Sequence, residues 1–153
     1  MQARPNLAKS APAAYKAMLQ LEAFIKGCGL EHSLLHLAKI RASQVNGCAF
    51  CVNMHYKQAR EAGESEERLS LLSVWRESPV FTARERAALA WAEAVTLIAT
   101  AGISDELFEA TRKHFKEEEL INLTLAVNTI NSWNRLMIAL AVPPAVNGRK
   151  AAE

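Results

Sequence analysis

Apolar residues recur along most of this chain at the three- and four-residue spacing of amphipathic helices. The segment 10–27 shows this spacing in Ala14, Met18 and Leu21, and the segment 30–45 shows it again. Because such spacing places side chains on one face of a helix, each segment is predicted to be helical with one buried side. No stretch alternates convincingly between apolar and polar residues with a period of two, so an all-α fold is expected.

Turn and capping signals predict where the remaining helices begin and end. Asn46-Gly47 breaks the chain before a helix over 48–62, and Ser65 opens a short helix that stops before Pro79. The run from Thr82 to Glu85 has the pattern of a capping box. Further helices are predicted over 82–100, 104–115 and 116–140. With no repeat and no linker visible, the chain 1–153 is predicted to form a single all-α domain of about six to seven helices.

The segment 116–140 differs from the other predicted helices because its apolar residues project at nearly every angle around the axis. Such a helix must be covered on all sides, either at the centre of a domain or at a subunit interface. We expect an interface and therefore a homo-oligomer. Asn131 and Asn134 interrupt the apolar pattern. Since buried amides need partners, we expect both to satisfy a helix end or an interface.

Composition and charge exclude several classes of protein. Half of the 153 residues are hydrophobic, with only six Gly and five Pro, so a packed core is expected. A net charge of +2, with both signs dispersed, favours neither nucleic acid nor an anionic membrane surface as a partner. No apolar run reaches the roughly 18 residues of a transmembrane helix, and no secretory signal is visible. Three cysteines suit a reducing cytoplasm better than a disulfide framework.

Cys48, Cys51 and His55 form a CxxCxxxH pattern whose spacing points to redox chemistry. On a helix that starts at Cys48, the three side chains fall within an arc of about 60° and face the protein interior. Cys-x-x-Cys thiols at helix N-termini have pKa values lowered to roughly 3.5–7.5. His55, one turn beyond Cys51, can accept its proton. The spacing therefore predicts a dithiol–disulfide couple with an attached proton relay.

Two other interpretations of these side chains stand beside the redox site. The cysteines and the histidine could be ordinary core residues, although all three sharing a face argues against this. A zinc site needs four ligands, and the motif supplies three. Cys28 lies alone between glycines and is interpreted as a packing residue, and the remaining histidines offer no second ligand pair. No metal is therefore expected.

The run 37–55, which contains the motif, resembles the core of the AhpD alkylhydroperoxidase and carboxymuconolactone decarboxylase family. The similarity continues through 57–63, 75–79 and 81–91, so it covers a motif core of 30–100. The resemblance implies an AhpD-like all-α fold assembled into trimers or hexamers, and thiol-dependent reduction of hydroperoxides. The decarboxylase branch of the family typically lacks the paired cysteines. This chain therefore resembles the peroxidase branch.

The resemblance also implies a role for each residue of the motif. Cys51 resembles the peroxidatic cysteine, Cys48 the resolving cysteine, and His55 the histidine that relays the proton. The family pattern has a glutamate twelve residues before the first cysteine, where this chain has His36. His36 is either a solvated surface histidine or a base that replaces the glutamate.

Together these observations predict a cytoplasmic thiol peroxidase that acts on organic hydroperoxides. Cys51 attacks the peroxide and becomes a sulfenic acid, and Cys48 condenses with it to a disulfide. An external dithiol, such as a lipoyl or thioredoxin-like donor, must then reduce that disulfide, and no haem, flavin or metal cofactor is required. Two alternatives are a non-enzymatic redox switch or adaptor and a lactone enzyme of the carboxymuconolactone decarboxylase type.

Overall fold

The computed structural model describes residues 4–146, and every regular element in that range is helical. The predicted all-α class is confirmed. No helix in this range is both long enough and apolar enough to cross a bilayer. In chain order the elements are α1 (Leu7–Ser10), α2 (Pro12–Lys26), α3 (His32–Asn46), α4 (Ala49–Glu61), α5 (Glu66–Leu71), a 3-10 helix (Leu72–Val74), α6 (Ala83–Thr96), α7 (Ile98–Ala101), α8 (Asp105–Arg112) and α9 (Glu117–Ala139).

The helix count exceeds the expected six to seven because two four-residue helices escape a periodicity argument. In α1, the Asn6 side chain accepts the backbone N–H of Lys9 and caps a helix too short to show an apolar stripe. The predicted helix 82–100 is divided into α6 and α7. The division follows Val95 and Thr96, whose β-branched side chains lower helix propensity.

Three helices, α3, α6 and α9, form the centre of the core and pack on one another. One apolar cluster joins them to α2 and includes Leu34, Trp91 and Val127. A second cluster joins α3 and α6 to α4, α5 and the 3-10 helix. A third and smaller cluster places Cys48 and Cys51 against α9, in contact with Ile130 and Met137. The thiols are thus core residues, and α9 forms the surface behind them.

Glu93 of α6 is a buried carboxylate that joins three segments of the chain. It accepts hydrogen bonds from Arg41 Nε of α3 at 2.6 Å and from Trp75 Nε1 at 2.9 Å, and it pairs with Arg76 at 2.5 Å. Burial raises the pKa of Glu93, but the bonds from Arg76, Trp75 and Arg41 lower it by more, so the net pKa lies below its usual value. The ionised carboxylate therefore anchors α3 to α6.

The outer side of α9 keeps apolar residues in solvent. The helix is buried on most of its circumference, yet Ile121 is 66% exposed and Ile138 is 47% exposed. The apolar circumference predicted from the sequence is thus covered largely within the subunit. The exposed isoleucines leave room for a subunit interface, and the homo-oligomer stays a prediction.

Candidate active site at the start of helix α4

The turn between α3 and α4 sets the position of both thiols. Gly47 has a φ of 70°, a left-handed conformation that favours glycine, and it ends α3. Cys48 follows as the N-cap of α4, one position earlier than the predicted first turn, and its Sγ accepts the backbone N–H of Cys51 at 3.4 Å. Cys51 lies within the first turn of the helix. Both sulfurs are therefore held at the N-terminal end of α4, as the spacing predicts.

The two sulfur atoms are close enough to react with each other. They lie 2.7 Å apart, and both cysteines are reduced and 1% exposed. Because a disulfide has an S–S length of about 2.05 Å, the bond requires a movement of under about 1 Å. Forming it does not require the backbone of α4 to rearrange.

The Cys51 thiol holds its proton at neutral pH. Burial, reinforced by the neighbouring Cys48 thiol, raises the pKa of Cys51 to about 12, although the nearby Asn134 amide acts in the opposite direction. This is opposite to the lowered pKa that the motif predicts. The position at a helix N-terminus does not compensate for the loss of water around the sulfur. For Cys51 to act as a nucleophile, a base would therefore have to take its proton.

His55 has the properties of such a base, because it is buried and neutral. Burial, with the positive charge of Lys39, lowers the pKa of His55 to about 4. Its Nδ1 lies 3.0 Å from Gln58 Oε1, one turn further along α4. Since an amide oxygen can only accept, Nδ1 carries the proton and Nε2 carries a free lone pair. No group within residues 4–146 donates to that buried Nε2.

Cys51 and His55 line a cavity of about 690 Å³, enclosed by α2, α3, α4 and α9. Its walls are largely apolar and aromatic, with Phe50, Met54 and Trp133 among them, and charged side chains from α2, α3 and α4 stand at its edge. The size and apolar lining are those of a site for a small organic molecule.

His36 lies in the same cavity, half-buried, on the face of α3 that turns toward Cys51. It is not a solvated surface residue. Burial, with the charge of Lys39, lowers the pKa of His36, and its Nδ1 has no hydrogen-bond partner among the described residues. The structure thus brings together all three motif residues and the histidine that stands in place of the family glutamate. The catalytic role of His36 stays a prediction.

Cys48 faces a second, separate groove on the other side of the thiol pair. This groove has a volume of about 570 Å³ and is lined by Tyr56 and Pro144 among other uncharged residues. The segment after α9 closes one side of it, where the Ala145 carbonyl accepts bonds from Asn53 Nδ2 at 2.8 Å and Lys57 Nζ at 2.7 Å. The two thiols are therefore approached from different sides.

The sequence argument did not place several residues at the site. Asn131 and Asn134 are buried, and their side-chain oxygens accept bonds from Asn46, the last residue of α3. The available signal was their position on the buried face of an otherwise apolar helix. Gln58 has no sequence signal beyond its spacing from His55. Among residues 4–146, no three His, Cys, Asp or Glu side chains converge as a set of metal ligands.

Comparison with known proteins assigns a family to this arrangement. The model of the carboxymuconolactone decarboxylase family matches residues 12–94. The uncharacterised protein YdfG of Bacillus subtilis strain 168 is 41% identical over 140 residues, which cover 92% of this chain and 95% of YdfG. A crystal structure from Agrobacterium tumefaciens, of a protein of unknown function proposed to be the antioxidant defence protein AhpD, has 49% identity and a TM-score of 0.92. It covers 95% of this chain and 100% of that one.

A more distant structure shares the fold. The AhpD core of an uncharacterised peroxidase-related protein from Ralstonia eutropha JMP134 has 22% identity and a TM-score of 0.79. The match covers 90% of this chain and 73% of that chain. The helical arrangement around the site is thus retained at low identity.

The buried neutral state of His55 predicts an acid-sensitive contribution to folding stability. Because its pKa falls from about 6.5 in the unfolded chain to about 4 in the fold, its contribution is fully present above pH 6.5 and is lost as the pH falls toward 4. Between about pH 7 and pH 5 this residue should remove about 2 kcal/mol of unfolding free energy. In His55→Asn the loss over that interval, measured by urea denaturation, should be smaller by this amount.

The control for this measurement is His32→Gln, which removes an exposed histidine. The change in pH dependence measured for His55→Asn should be the larger of the two. An unchanged pH dependence in His55→Asn would mean that the imidazole is not held neutral by burial.

Proposed function

We propose, since this chain belongs to the carboxymuconolactone decarboxylase family, that it is a thiol-dependent alkylhydroperoxidase with a Cys48–Cys51 dithiol–disulfide cycle. One observation carries the proposal: two thiols 2.7 Å apart, one of them lining an apolar cavity together with a neutral histidine. That cavity offers room for a substrate beside Cys51 and His55, and Cys48 lies within reach of Cys51 for disulfide formation. The paired thiols favour this activity over a lactone decarboxylase, which has no use for them.

The first step oxidises Cys51. Its sulfur attacks the distal oxygen of a hydroperoxide in the cavity while the thiol proton passes to Nε2 of His55. The O–O bond breaks, and the departing alkoxide takes that proton and leaves as an alcohol. Cys51 becomes a sulfenic acid, so the peroxide has lost one oxygen atom and the sulfur has gained it.

The second step resolves the sulfenic acid. The Cys48 sulfur attacks the Cys51 sulfur, the S–S bond forms, and hydroxide leaves with the Cys48 proton as water. The short distance between the sulfurs makes this step fast compared with further oxidation of Cys51. An external dithiol then exchanges with the disulfide and returns both thiols to the reduced state.

His36 serves as a second base in the same cavity. It stands near His55, and burial keeps both imidazoles neutral at physiological pH. A neutral His36 can take up the proton that His55 receives, which is the task of the family glutamate. The relay in this chain therefore runs from the Cys51 thiol to His55 and His36, and the departing alkoxide takes the proton from this protonated pair.

The residues that line the cavity at Cys51 and the groove at Cys48 support an organic peroxide as substrate and a separate approach for the reductant. The apolar walls around Cys51 fit an alkyl or aryl hydroperoxide better than hydrogen peroxide, which has no apolar surface to bury. The uncharged groove at Cys48 fits a small dithiol such as a lipoyl group, or a thioredoxin-like donor. We place the enzyme in the cytoplasm, where reduced dithiols are available, and propose that it assembles as a trimer or hexamer.

The two cysteines should respond differently to replacement. Cys51→Ser should abolish consumption of cumene hydroperoxide in the presence of dihydrolipoamide, because the attacking sulfur is gone. Cys48→Ser should leave a sulfenic acid on Cys51, trapped by dimedone and identified by mass spectrometry. Cys28→Ser is the matched control and should keep parental turnover.

Two results would contradict the mechanism. Normal dithiol-dependent turnover by Cys48→Ser would show that no Cys48–Cys51 disulfide is needed. A parent protein that consumes only one equivalent of peroxide, whatever the dithiol supplied, would be a redox switch. A Cys51 thiol that is protonated at rest is also compatible with such a switch.

The role of His36 predicts a pH dependence in which His36→Ala and His36→Glu differ. Because burial lowers the pKa of His36, the parent should keep its rate of Cys51 oxidation below pH 6.5 and lose it only at more acidic pH. His36→Ala should be slower at every pH between about 5 and 8. His36→Glu should keep its rate to lower pH than the parent, since a carboxylate accepts a proton down to about pH 4.3. An alanine variant as fast as the parent throughout would remove His36 from the relay.

A further inference from the structure

The turn that carries Cys48 is fixed to helix α3 by two backbone hydrogen bonds. Asn46 is the last residue of α3, and the left-handed Gly47 and the N-cap Cys48 follow it. The Cys48 N–H donates to the Ser43 carbonyl at 3.0 Å, and the Gly47 N–H donates to the Gln44 carbonyl at 3.2 Å. These two bonds form a Schellman motif, which sets the direction in which a chain leaves a helix. The backbone thus fixes the turn relative to α3 but not relative to the rest of the core.

The Asn46 side chain supplies the connection to the core. Its Nδ2 donates to Asn131 Oδ1 at 2.6 Å and to Asn134 Oδ1 at 2.8 Å. Asn131 and Asn134 lie one turn apart on the buried face of α9. Since an amide nitrogen carries two hydrogens, both donors of Asn46 are used in these bonds. The end of α3 is therefore attached to α9 two residues before Cys48.

The two acceptors are themselves held in place, so this attachment has a fixed direction. Asn134 Nδ2 donates to Ser43 Oγ at 3.0 Å, and the Ser43 hydroxyl in turn donates to the Lys39 carbonyl at 2.8 Å. Asn131 Nδ2 donates to Thr96 Oγ1 of α6 at 3.2 Å. The four side chains in these bonds are buried, so water competes little for them. A flip of either amide would set two donors against each other, so both oxygens are fixed toward the end of α3.

The same stretch of α9 also packs against the two thiols. Cys48 and Cys51 belong to one buried cluster with Ile130 and Met137 of α9. On the helix, these two residues bracket the two asparagines that accept from Asn46. One stretch of α9 is thus the common reference for the turn and for the thiols. Because the sulfur atoms lie 2.7 Å apart in the reduced protein, a small displacement of the turn changes the distance on which disulfide formation depends.

We infer that Asn46 is a positioning residue for Cys48, and that its two bonds to α9 keep the Cys48 sulfur within bonding approach of the Cys51 sulfur. The inference rests on the proposed peroxidase for its role in turnover. In the resolving step the Cys48 sulfur attacks the Cys51 sulfenic acid, the S–S bond forms, the S–O bond breaks, and hydroxide leaves with the Cys48 proton as water. Because the turn is already held, little freedom is lost when this bond forms. Asn46 therefore governs closure of the disulfide and not the preceding attack of Cys51 on the peroxide.

The size of the effect follows from the strength of the bonds that hold the turn. A hydrogen bond between protein groups is worth roughly two- to ten-fold in an equilibrium constant. Part of that contribution is lost from overall stability when the bonds are removed, and part is lost as greater freedom of the turn. Removing both bonds should therefore make disulfide formation about three- to ten-fold less favourable, which raises the reduction potential by about 15–30 mV.

The test compares Asn46→Leu with Asn122→Leu in the full-length protein. The control removes a buried asparagine of α9 that bonds the Cys28 carbonyl. The dithiol–disulfide equilibrium is measured in buffers of reduced and oxidised dithiothreitol, where the protein thiols lose two electrons and two protons and the oxidised dithiothreitol gains them. Free thiols are trapped with iodoacetamide, and the two forms of the protein are quantified by mass spectrometry.

The equilibrium of Asn46→Leu should lie about three- to ten-fold further toward the dithiol than that of the parent. With one equivalent of cumene hydroperoxide, dimedone should capture its Cys51 sulfenic acid about three- to ten-fold more often before the disulfide closes. The rate of hydroperoxide consumption in that single turnover should stay within about two-fold of the parent. Asn122→Leu should match the parent within about two-fold in all three measurements, although it loses stability.

The outcomes separate this inference from the proposed function. A folded Asn46→Leu protein with the parental equilibrium would overturn the inference, as would an equal shift in Asn122→Leu. A loss of hydroperoxide consumption as large as the loss of disulfide closure would show a general loosening of the site and would also overturn it. A shifted equilibrium in a protein whose parent fails to turn over hydroperoxides would support the role of Asn46 toward the thiol pair and reject the peroxidase.

A second variant covers the case in which Asn46→Leu does not fold, as judged by circular dichroism. Asn131→Leu removes one of the two acceptors and keeps the bond between Asn46 and Asn134. It should shift the equilibrium toward the dithiol by about two- to three-fold. A parental equilibrium in Asn131→Leu would then overturn the inference.

Discussion

Burial of a thiol that has to lose its proton is the constraint on which this site depends. Water is the ordinary stabiliser of a thiolate, and Cys51 has almost none around it, so its pKa rises. The same burial lowers the pKa of His55, because the charged form of imidazole is equally poorly solvated. Neutral thiol and neutral imidazole are thus the stable resting pair. In the proposed reaction, charge separates only when a substrate in the cavity accepts the electrons.

Oriented polar groups of the protein take the place of the water that burial excludes from the site. The start of α4 provides a backbone N–H group to Cys48, and Gln58 fixes which nitrogen of His55 holds the lone pair. Asn134 of α9 is held by hydrogen bonds to Asn46 and Ser43 of α3. Each of these groups is oriented by a neighbour before any substrate arrives. In the proposed reaction these groups are already oriented in the folded protein, so they do not have to reorganise during catalysis.

The sequence predicted the parts of this site that are local. Helical periodicity identified the all-α class, and the spacing of Cys48, Cys51 and His55 was enough to place them on one inward face. The spacing predicted a lowered pKa for Cys51, whereas burial raises it. The depth of that burial depends on α9, which follows about 80 residues later. The bonds that Asn134 makes to α3 could not be predicted for the same reason. His36 was ambiguous because the position of α2, which packs on α9, decides whether that face of α3 meets solvent or a cavity.

The pH dependence of Cys51 oxidation in a single turnover tests the central claim most directly. Reduced protein is mixed with an organic hydroperoxide between about pH 6 and pH 9. The reaction is followed by tryptophan fluorescence, to which Trp133 in the cavity wall contributes together with Trp75 and Trp91. If a protonated thiol reacts with a neutral histidine as its base, both partners are present throughout this range, and the rate should change by less than about three-fold. A rate that rises about ten-fold with each pH unit would mean that pre-formed thiolate is the reacting species, and would contradict the coupled thiol–histidine site.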